Sequence, residues 1–464
     1  MVEAVAAPTP GQLAGFRSRF RGDVVVPADD TFDTARRLWN ALYDVRPALV
    51  VRPTSAAEVA MAVRFGRDAG LPLQVRGGGH GVWAANAPDG GLVIDLARIN
   101  AVTVDPGKRT ARVGGGVLLS ALDRAAQAHG LVCPVGVVGH TGVGGLTLGG
   151  GIGRLMRHFG LTIDSLRRVE LVTATGDIVE ASTDEHPELF WGIRGAGANF
   201  GAVTEFEFDL HPYDGRLTRG IRFYDGRAMA EVWNVFAPFA AAAPETLGLT
   251  FGAGRAVPET DYPEAVAGKP VAFVAFSHSG DPADVERDLA PLAAAPKPVL
   301  EALTPTTYLE IQAANDEAMR WGLRTYTDSR FSNGFAPETL AALLDHVQSA
   351  PGDAGIGVGV FGGAVGRAGD DSTSFPSRAA FDMSADAGVW EDPAQDELSI
   401  GWARQAISII ERDAVIGRYI NETGEVGEDV VRSTYGEERY QRLVELKRAW
   451  DPDNVFRANQ NIVP

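Results

Sequence analysis

Three consecutive glycines followed by a histidine stand directly after an apolar run in the first part of this chain. The glycine segment reads Arg-Gly-Gly-Gly-His at residues 76–80, and the apolar run at 71–75 predicts a short buried strand. Glycines have no Cβ, so their backbone N–H groups can approach an anionic ligand such as a diphosphate. His80 is then either a nucleophile held against that ligand or a solvated loop residue.

A second glycine-rich segment, at residues 142–153, reads Gly-Val-Gly-Gly-Leu-Thr-Leu-Gly-Gly-Gly-Ile-Gly. Alone it is consistent with a packing loop, but two such segments in one domain indicate that both line one extended ligand. A dinucleotide fold of the G-x-G-x-x-G type requires a helix immediately after its loop. Residues 82–90, which follow the first loop, have no helical pattern, and the sequence contains no G-x-x-x-x-G-K-[ST] phosphate loop.

The composition argues against several classes of partner. The formal net charge of −18 disfavours nucleic acid and anionic membrane surfaces as partners. The first residues lack the basic and apolar regions of a signal peptide, and no run of about 18 apolar residues predicts a membrane span, so we expect a cytoplasmic protein. The single cysteine, Cys133, excludes an intramolecular disulfide and a cysteine-based metal centre, and we expect no metal site.

The order of periodic segments predicts an α+β protein. Residues 45–211 begin with a β-α-β unit and continue with short helices and mixed strands. Residues 213–418 alternate longer strands with helices, which predicts a single antiparallel sheet backed by helices. We place the first domain at residues 1–212, the second at 213–418, and a C-terminal segment that returns to the first domain at 419–464.

Local patterns lead to more specific expectations. Ser55 precedes an apolar helical pattern and is the expected N-cap of a helix. Residues 31–43 predict one continuous helix. In the second domain, Asp382, Ser384 and Asp386 alternate with apolar residues on one strand. Their polar face points either into a substrate pocket or into water, and we expect it to face water.

Five segments together resemble the FAD-binding parts of a known superfamily. They lie at residues 76–80, 144–153, 188–201, 419–421 and 451–462. The first three are similar to segments of the vanillyl-alcohol-oxidase/p-cresol-methylhydroxylase superfamily. The last two resemble its berberine-bridge-enzyme-like, 6-hydroxy-D-nicotine-oxidase-like branch. The resemblance implies a p-cresol-methylhydroxylase-type FAD-binding domain and a substrate domain with an antiparallel sheet, and it covers the middle region in layout only.

The resemblance also implies which residues bind FAD. His80 would carry the cofactor through a single 8α-N-histidyl bond, and the glycines around it would cradle the pyrophosphate. Val203 would supply backbone hydrogen bonds at the adenine side. Asn421, Asn459 and Asn461 would close the isoalloxazine end. The remaining implied cofactor-binding residues are Arg76, Gly77, Gly78, Gly79, Gly81, Gly139, Thr141, Gly144, Gly145, Gly149, Gly150, Gly151 and Gly153.

Many proteins of that superfamily hold FAD by a second bond, to a cysteine four residues before the G-x-G-G of the second glycine-rich segment. In this chain Val138 occupies that position, and Cys133 lies five residues further upstream. A covalent bond requires one defined sulfur position, so we expect Cys133 to be a small buried hydrophobic residue. A slipped loop that still delivers the sulfur is the alternative.

The implied activity is that of an FAD-dependent oxidase. It would take a hydride from a C–H group next to oxygen or nitrogen in a small organic substrate, with O2 as acceptor. Candidates for proton transfer are Tyr419, His140 and Tyr326, and Tyr419 would act as a base only if its pKa were lowered from about 10. The alternatives are a dehydrogenase with another acceptor, an oxygenase of the flavin-N5-oxide type, and a non-catalytic flavin or small-molecule binder. No pattern in the sequence identifies the substrate or the oligomeric state.

Overall fold

A computed structural model describes residues 8–82, 89–256 and 266–464. Residues 83–88, which belong to the segment expected to be non-helical, lie outside the described residues. Within the described ranges no helix is long and apolar enough to cross a membrane.

The chain opens with a small sheet that carries the triple-glycine loop at its end. The strand order is β1-β2-β4-β3, with β4 parallel to both β2 and β3. Ser55 caps α3 as expected, because its hydroxyl accepts the backbone N–H of Glu58 at 3.4 Å. The elements of this part are α1 (Pro10–Arg17), β1 (Asp23–Val25), α2 (Phe32–Arg36), β2 (Leu49–Arg52), α3 (Ala56–Asp68), β3 (Leu73–Arg76) and β4 (Leu92–Asp95).

A five-stranded antiparallel sheet follows, in the order β5-β6-β10-β8-β9. Its apolar face packs on α4 and α7, where Phe206, Phe208 and Leu122 are completely buried. The strands are β5 (Val102–Asp105), β6 (Thr110–Gly114), β7 (Leu131–Val132), β8 (Leu166–Val172), β9 (Ile178–Ser182), β10 (Ala202–Asp209) and β11 (His211–Pro212), of which β7 and β11 form a separate pair. The helices are α4 (Leu119–Gln127), α5 (Val143–Leu148), α6 (Met156–Phe159) and α7 (Pro187–Ile193).

The middle of the chain forms one seven-stranded sheet in the order β15-β12-β14-β13-β17-β18-β16, and all neighbouring strands are antiparallel. This confirms the expected antiparallel sheet backed by helices. Its strands are β12 (Arg216–Asp225), β13 (Leu247–Arg255), β14 (Pro270–His278), β15 (Leu300–Thr307), β16 (Arg324–Ser332), β17 (Gly355–Val360) and β18 (Phe381–Trp390). The helices are α8 (Met229–Ala242), α9 (Val285–Leu289), α10 (Tyr308–Ala313), α11 (Pro337–Val347), α12 (Ala364–Arg367) and α13 (Asp396–Ile410).

The C-terminal segment returns to the glycine-rich part of the chain through α14 (Glu428–Trp450), which has a kink at Gly436. At the end of α14, Lys447 is fully buried and forms an ion pair of 2.7 Å with Asp451. Its ammonium also donates to the carbonyls of Asn199 and Phe456, at 2.8 and 2.9 Å. This buried pair joins the last residues to the segment after α7. The domain boundaries at 212 and 419 stay predictions.

The prediction of one continuous helix over residues 31–43 is wrong, because α2 ends at Arg36. The reason is tertiary. The N–H of Trp39 donates to the carbonyl of Gly79 at 3.1 Å, and Nδ2 of Asn40 donates to Thr325 O at 2.9 Å. These contacts tie the segment after α2 to the triple-glycine loop and to β16, and they replace the intrahelical hydrogen bonds that a longer helix would form.

Candidate active site

A large cavity lies where the triple-glycine loop, the second glycine-rich segment and the C-terminal segment meet. It encloses about 1740 Å³ of empty space up to its open mouth. The predicted site residues that line it are Arg76, Gly77, Gly78, Gly79, His80, Gly81, Thr141, Gly145, Tyr419, Asn421 and Asn459. Residues separated by more than 300 positions in sequence therefore surround one space.

The two glycine-rich segments touch each other at one point of this cavity. A Cβ on Gly78 would collide with the backbone of Gly142, and a Cβ on Gly142 would collide with the backbone of Gly78. Gly79 has φ +70°, which residues with side chains rarely adopt. Glycine is therefore required at 78, 79 and 142 for the loop to reach its position.

The glycines of the second segment have two different roles. Gly145 is exposed to the cavity, and a Cβ there would meet no atom within 4 Å. By contrast, the four glycines at 149, 150, 151 and 153 are buried against other parts of the protein. The residues that a Cβ on each of them would meet are Asn421, Phe375, Thr162 and Val135, respectively. Of the two roles expected for this segment, packing therefore applies to Gly149, Gly150, Gly151 and Gly153. Lining a ligand applies to Gly142 and Gly145, which border the open space.

The ring of His80 is held on two sides. The indole of Trp39 stacks on it, with ring centroids 4.4 Å apart and an interplanar angle of 16°. Nε2 of His80 lies 2.6 Å from Nδ1 of His140. Burial, and secondly the charge of His140, lowers the pKa of His80 to about 3, so its imidazole is neutral at physiological pH.

His140 is itself positioned by one residue of the second domain. Its Nε2 lies 3.2 Å from the backbone carbonyl of Asp316, and the carboxylate of Asp316 accepts the N–H of Gly139 at 2.6 Å. His140 is half-buried and stands behind His80, outside the lining of the cavity. Gly139 and Gly144 also stand outside the lining.

Tyr419 and Asn421 form a hydrogen-bonded pair beside the second glycine-rich segment. The hydroxyl of Tyr419 accepts from Nδ2 of Asn421 at 3.1 Å and from the N–H of Ile152 at 3.3 Å. Nδ2 of Asn421 also donates to Leu146 O at 3.1 Å. Burial, and secondly the charge of Glu422, raises the pKa of Tyr419. This is opposite to the shift that a tyrosine base requires.

The end of the C-terminal segment closes the cavity opposite these residues. Asn459 Nδ2 donates to Ala198 O at 3.0 Å, which fixes the segment against the loop after α7. Gln460 also lines the cavity, and its Oε1 is buried without a hydrogen-bond partner among the described residues. Asn461 lies outside the lining.

Two predicted residues lie outside the lining of the cavity, and a third lines it while its side chain is bound elsewhere. Tyr326 packs on the helix side of the large sheet, and its hydroxyl donates to Glu425 at 2.6 Å. Val203 pairs with Leu171 inside the five-stranded sheet and does not line the cavity. The guanidinium of Arg76 donates to Asp95 at 2.7 Å, so only its backbone is free to act in the loop.

The polar strand face was expected to point into water, and for Asp382 this is wrong. Asp382 is only 5% exposed, and Oδ1 of its carboxyl is buried without a hydrogen-bond partner among the described residues. The sequence pattern could not settle this, because alternation shows which residues share a face but not what covers that face.

Among the described residues, no three His, Cys, Asp or Glu side chains are placed to hold a metal ion.

Sequence reasoning missed several residues at the cavity, among them Trp39, Gln460 and Glu422. Trp39 was assigned to a helix, and no local signal connects it with His80. Gln460 directly follows Asn459, and Glu422 directly follows Asn421. Adjacency to these two predicted cofactor-binding asparagines was the only signal in the sequence that could have identified them.

Two known families match the two parts of the chain that form this cavity. The FAD binding domain family matches residues 47–182, and the family described as berberine and berberine like matches residues 418–463. The matches therefore cover both glycine-rich segments and the returning C-terminal segment.

Known proteins are similar to this chain over nearly its full length and nearly their own. The (R)-6-hydroxynicotine oxidase of Paenarthrobacter nicotinovorans is 33% identical over 462 residues, which cover 96% of this chain and 97% of that protein. An FAD-linked oxidoreductase of Bacillus subtilis is 28% identical and covers 97% of this chain and 98% of its own length. The crystal structure of 6-hydroxy-D-nicotine oxidase from Arthrobacter nicotinovorans superimposes with a TM-score of 0.85 at 30% identity, covering 96% of this chain and 98% of that one.

The residues of the cavity fit FAD. Gly145 and Gly81 leave open space beside the backbone, as a cradle for a long ligand requires. The partnerless Oε1 of Gln460 offers a buried acceptor to a ligand. The cavity extends from the triple-glycine loop to Tyr419, so it can take an elongated dinucleotide. This chain belongs to the berberine-bridge-like family of FAD-linked oxidoreductases.

Proposed function

We propose that the protein is an oxidase whose FAD is attached by a single 8α-N-histidyl bond to His80. It takes a hydride from a C–H group next to oxygen or nitrogen in a small organic substrate, and O2 is the acceptor. The observation that carries this proposal is the position of His80, which ends the triple-glycine loop and lines the large cavity. Since its pKa is lowered to about 3, the ring has the lone pair that a nucleophile needs.

Hydrogen bonding favours one nitrogen of His80 as the nucleophile. A carbonyl oxygen can only accept, so in the neutral pair Nε2 of His140 donates to Asp316 O. Nδ1 of His140 is then the acceptor of the 2.6 Å contact, and Nε2 of His80 is its donor. This leaves the lone pair on Nδ1 of His80 for the bond. His140 acts as a positioning residue that fixes this tautomer.

The surroundings of Val138, where related proteins have a second flavin-binding cysteine, and of Cys133 support a single covalent bond to FAD. Val138 lines the cavity, whereas Cys133 is 1% exposed and does not line it. Burial raises the pKa of the Cys133 thiol well above its ordinary value. A thiol that stays protonated is a poor nucleophile, so Cys133 remains a small buried hydrophobic residue.

When bound, FAD supplies the two-electron acceptor for the substrate hydride. The residues of the chain position the reactants around it and exclude water. Because the pKa of Tyr419 is raised, this residue keeps its proton at neutral pH. We assign it the role of fixing Asn421 beside the second glycine-rich segment rather than that of a base.

The attachment is tested by acid precipitation of purified protein, followed by SDS gel electrophoresis under ultraviolet light. We expect flavin fluorescence to stay with the wild-type chain and with Cys133→Ser, and to be lost from His80→Ala. Release of all flavin from the wild type by acid would contradict the covalent bond. Loss of fluorescence from Cys133→Ser alone would show that the sulfur carries it.

The acceptor is tested without knowledge of the substrate. Protein reduced with dithionite is mixed with air-saturated buffer in a stopped-flow instrument, and the recovery of the flavin absorbance is followed. Rapid recovery with formation of hydrogen peroxide supports an oxidase. Slow recovery that becomes rapid when an artificial electron acceptor is added would identify a dehydrogenase instead.

A further inference from the structure

A single carboxyl side chain, that of Glu422, stands among the described residues that line the large cavity. The other ionisable side chains of the lining are those of Arg76, His80 and Tyr419. The guanidinium of Arg76 is bound to Asp95. His80 is the proposed attachment point, and Tyr419 keeps its proton because burial raises its pKa. Glu422 is therefore the one ionisable group of the lining that is neither bound to another residue, nor used for attachment, nor held in one protonation state.

The turn that carries Glu422, residues 419–424, crosses the large sheet at β16 and is fixed to it at both ends. The N–H of Tyr419 donates to Oγ of Ser329 at 3.0 Å. The N–H of Gly424 donates to the carbonyl of Thr327 at 2.8 Å. Both acceptors belong to β16, so a regular element of the fold sets the point from which the side chain of Glu422 reaches the cavity.

The same turn is held from the other side by the second glycine-rich segment. Nδ2 of Asn421 donates to the carbonyl of Leu146 at 3.1 Å. A Cβ on Gly149 would collide with the side chain of Asn421, so the two segments pack in direct contact. Leu146, Asn421 and Glu422 all line the cavity. Glu422 therefore faces the ligand space directly beside the glycine-rich segment that borders it.

The carboxyl of Glu422 has no partner among the described residues, where it accepts no hydrogen bond and forms no ion pair. Its backbone N–H is already bound to the carbonyl of Tyr419 at 2.9 Å. By contrast, the carboxyl of Glu425, three residues later, accepts from Tyr326 at 2.6 Å and from Arg404 at 2.8 Å. A half-buried carboxyl without a partner costs free energy, and a ligand or a reaction in the cavity gives it a use.

The surroundings of Glu422 also suit proton transfer. Burial raises the pKa of Glu422 well above its ordinary value, and the charges of Asp382 and Asp386 on β18 add to this effect. The hydroxyl of Tyr419 is the ionisable group beside it on its own turn, and it stays neutral. A proton acceptor works best when its pKa lies near the pH of the reaction, and an exposed glutamate, with a pKa of about 4.3, is a weak base.

We propose that Glu422 is the catalytic base of the oxidation. This rests on the proposed oxidase function and names the proton acceptor that the reaction requires. The substrate carries a C–H group next to an O–H or N–H group. It loses a hydride from carbon to FAD and the proton of the O–H or N–H group to the carboxylate of Glu422, and a C=O or C=N bond forms. O2 then takes up the two electrons and two protons, one from the hydride and one from Glu422, and leaves as hydrogen peroxide.

The test counts the protons that the purified holoenzyme takes up when its flavin is reduced, so it needs no substrate. The equilibrium constant for two-electron reduction is measured against a reference dye from pH 5 to pH 10, with xanthine and xanthine oxidase as the electron source. Each proton taken up makes this constant fall about tenfold per pH unit, which corresponds to about 30 mV. Electrons added to the flavin draw a proton to a carboxylate beside it. We therefore expect the wild type to take up one proton more than Glu422→Gln over the pH range in which Glu422 is ionised in the oxidised protein.

Two further variants connect the additional proton with this carboxyl. Glu422→Asp keeps a carboxyl at the same position and should keep the additional proton. Glu425→Gln is the matched control on the same turn, because its carboxyl lies outside the lining, and it should also keep the proton. Glu422→Gln removes no hydrogen bond and should keep its Tm. Equal proton counts in the wild type and in Glu422→Gln at every pH would overturn the proposal, and so would loss of the proton from Glu425→Gln as well.

The outcome is separate from that of the proposed function. The proton count is read from the flavin whether or not it is covalently bound, and O2 takes no part in it. Equal proton counts in a protein with covalent flavin and rapid reoxidation would contradict the base alone. One proton fewer in Glu422→Gln, in a protein that releases its flavin in acid or reacts slowly with O2, would contradict the proposed oxidase alone.

Discussion

Nε2 of His80 lies 2.6 Å from Nδ1 of His140, and Trp39 covers the face of the same imidazole. The first prediction concerns this pair. Replacing His140 by Ala removes the acceptor that fixes the tautomer of His80, and we expect covalent attachment of FAD to slow by on the order of 100-fold. The measurement is the time course of acid-stable flavin fluorescence after FAD is added to flavin-free protein. His129→Ala, which changes an exposed histidine, is the control. Equal rates for the two variants would show that His140 has no part in attachment.

The second prediction separates the two kinds of glycine. Gly145→Ala adds a methyl group to open space in the cavity, so the flavin-free protein should keep its Tm while its affinity for FAD falls. Gly78→Ala forces the triple-glycine loop away from Gly142 and should lower both the Tm and the affinity. Thermal unfolding by circular dichroism and titration with FAD give the two quantities. A fall of Tm in Gly145→Ala as large as in Gly78→Ala would contradict the distinction.

The third prediction concerns the ion pair of Lys447 with Asp451, whose side chains are both 0% exposed. Lys447→Met leaves the Asp451 carboxylate buried without its cation and should destabilise the protein by about 3–5 kcal/mol. It should also loosen the segment that carries Asn459, so proteolysis there should accelerate. Lys108→Met breaks an exposed pair with Asp105 and should change neither quantity measurably. Urea unfolding and limited proteolysis measure the two effects.

The fourth prediction concerns pH. Asp123 is 1% exposed and accepts from Tyr308 and Gln312 at 3.1 and 3.3 Å. Burial raises its pKa from 3.8 to about 7, so between these values the folded protein holds a proton that the unfolded chain has lost. The contribution of Asp123 to the free energy of unfolding is therefore present below pH 3.8 and is lost as the pH rises towards about 7.

Asp123→Asn removes this titration. The difference in the free energy of unfolding between wild type and variant should shift in favour of the variant between pH 4 and 7, by at most about 1.4 kcal/mol per pH unit. Urea unfolding at pH 5, 6, 7 and 8 measures the shift. Asp33→Asn is the control: the hydrogen bond from Arg36 lowers the pKa of this exposed carboxyl, so it stays ionised and should give a difference that does not vary with pH over this range. A pH-independent difference for Asp123→Asn would show that its carboxyl titrates normally.

The fold class and the antiparallel sheet followed from patterns that are local in sequence. Alternation in β18 and the cap at Ser55 depend on neighbouring residues, and both were predicted correctly. That both glycine-rich segments line one ligand also followed from the sequence itself. The contribution of Tyr419 was accessible only through the resemblance, since no periodic pattern relates His80 to Tyr419. The roles of single residues inside it were harder to predict, because they depend on contacts between distant parts of the chain.

Particular residues show this limit. Gly149 and Gly145 belong to one glycine-rich segment, yet the first packs on Asn421 and the second borders open space. Tyr326 carries a suitable hydroxyl, but its position in β16 turns it to the helix side of the sheet. Asp382 looked like a surface residue, and only the crossing of the sheet by Tyr419 shows that its face is covered.

The path of the C-terminal segment has a consequence for biosynthesis. A ribosome completes the triple-glycine loop and the second glycine-rich segment early, but Tyr419, Asn421 and Asn459 emerge only after the whole seven-stranded sheet has been made. A nascent chain therefore presents the floor of the cavity long before its closing wall, and the complete cavity exists only once translation has passed those residues. Premature termination anywhere in the sheet would yield a product that lacks this wall.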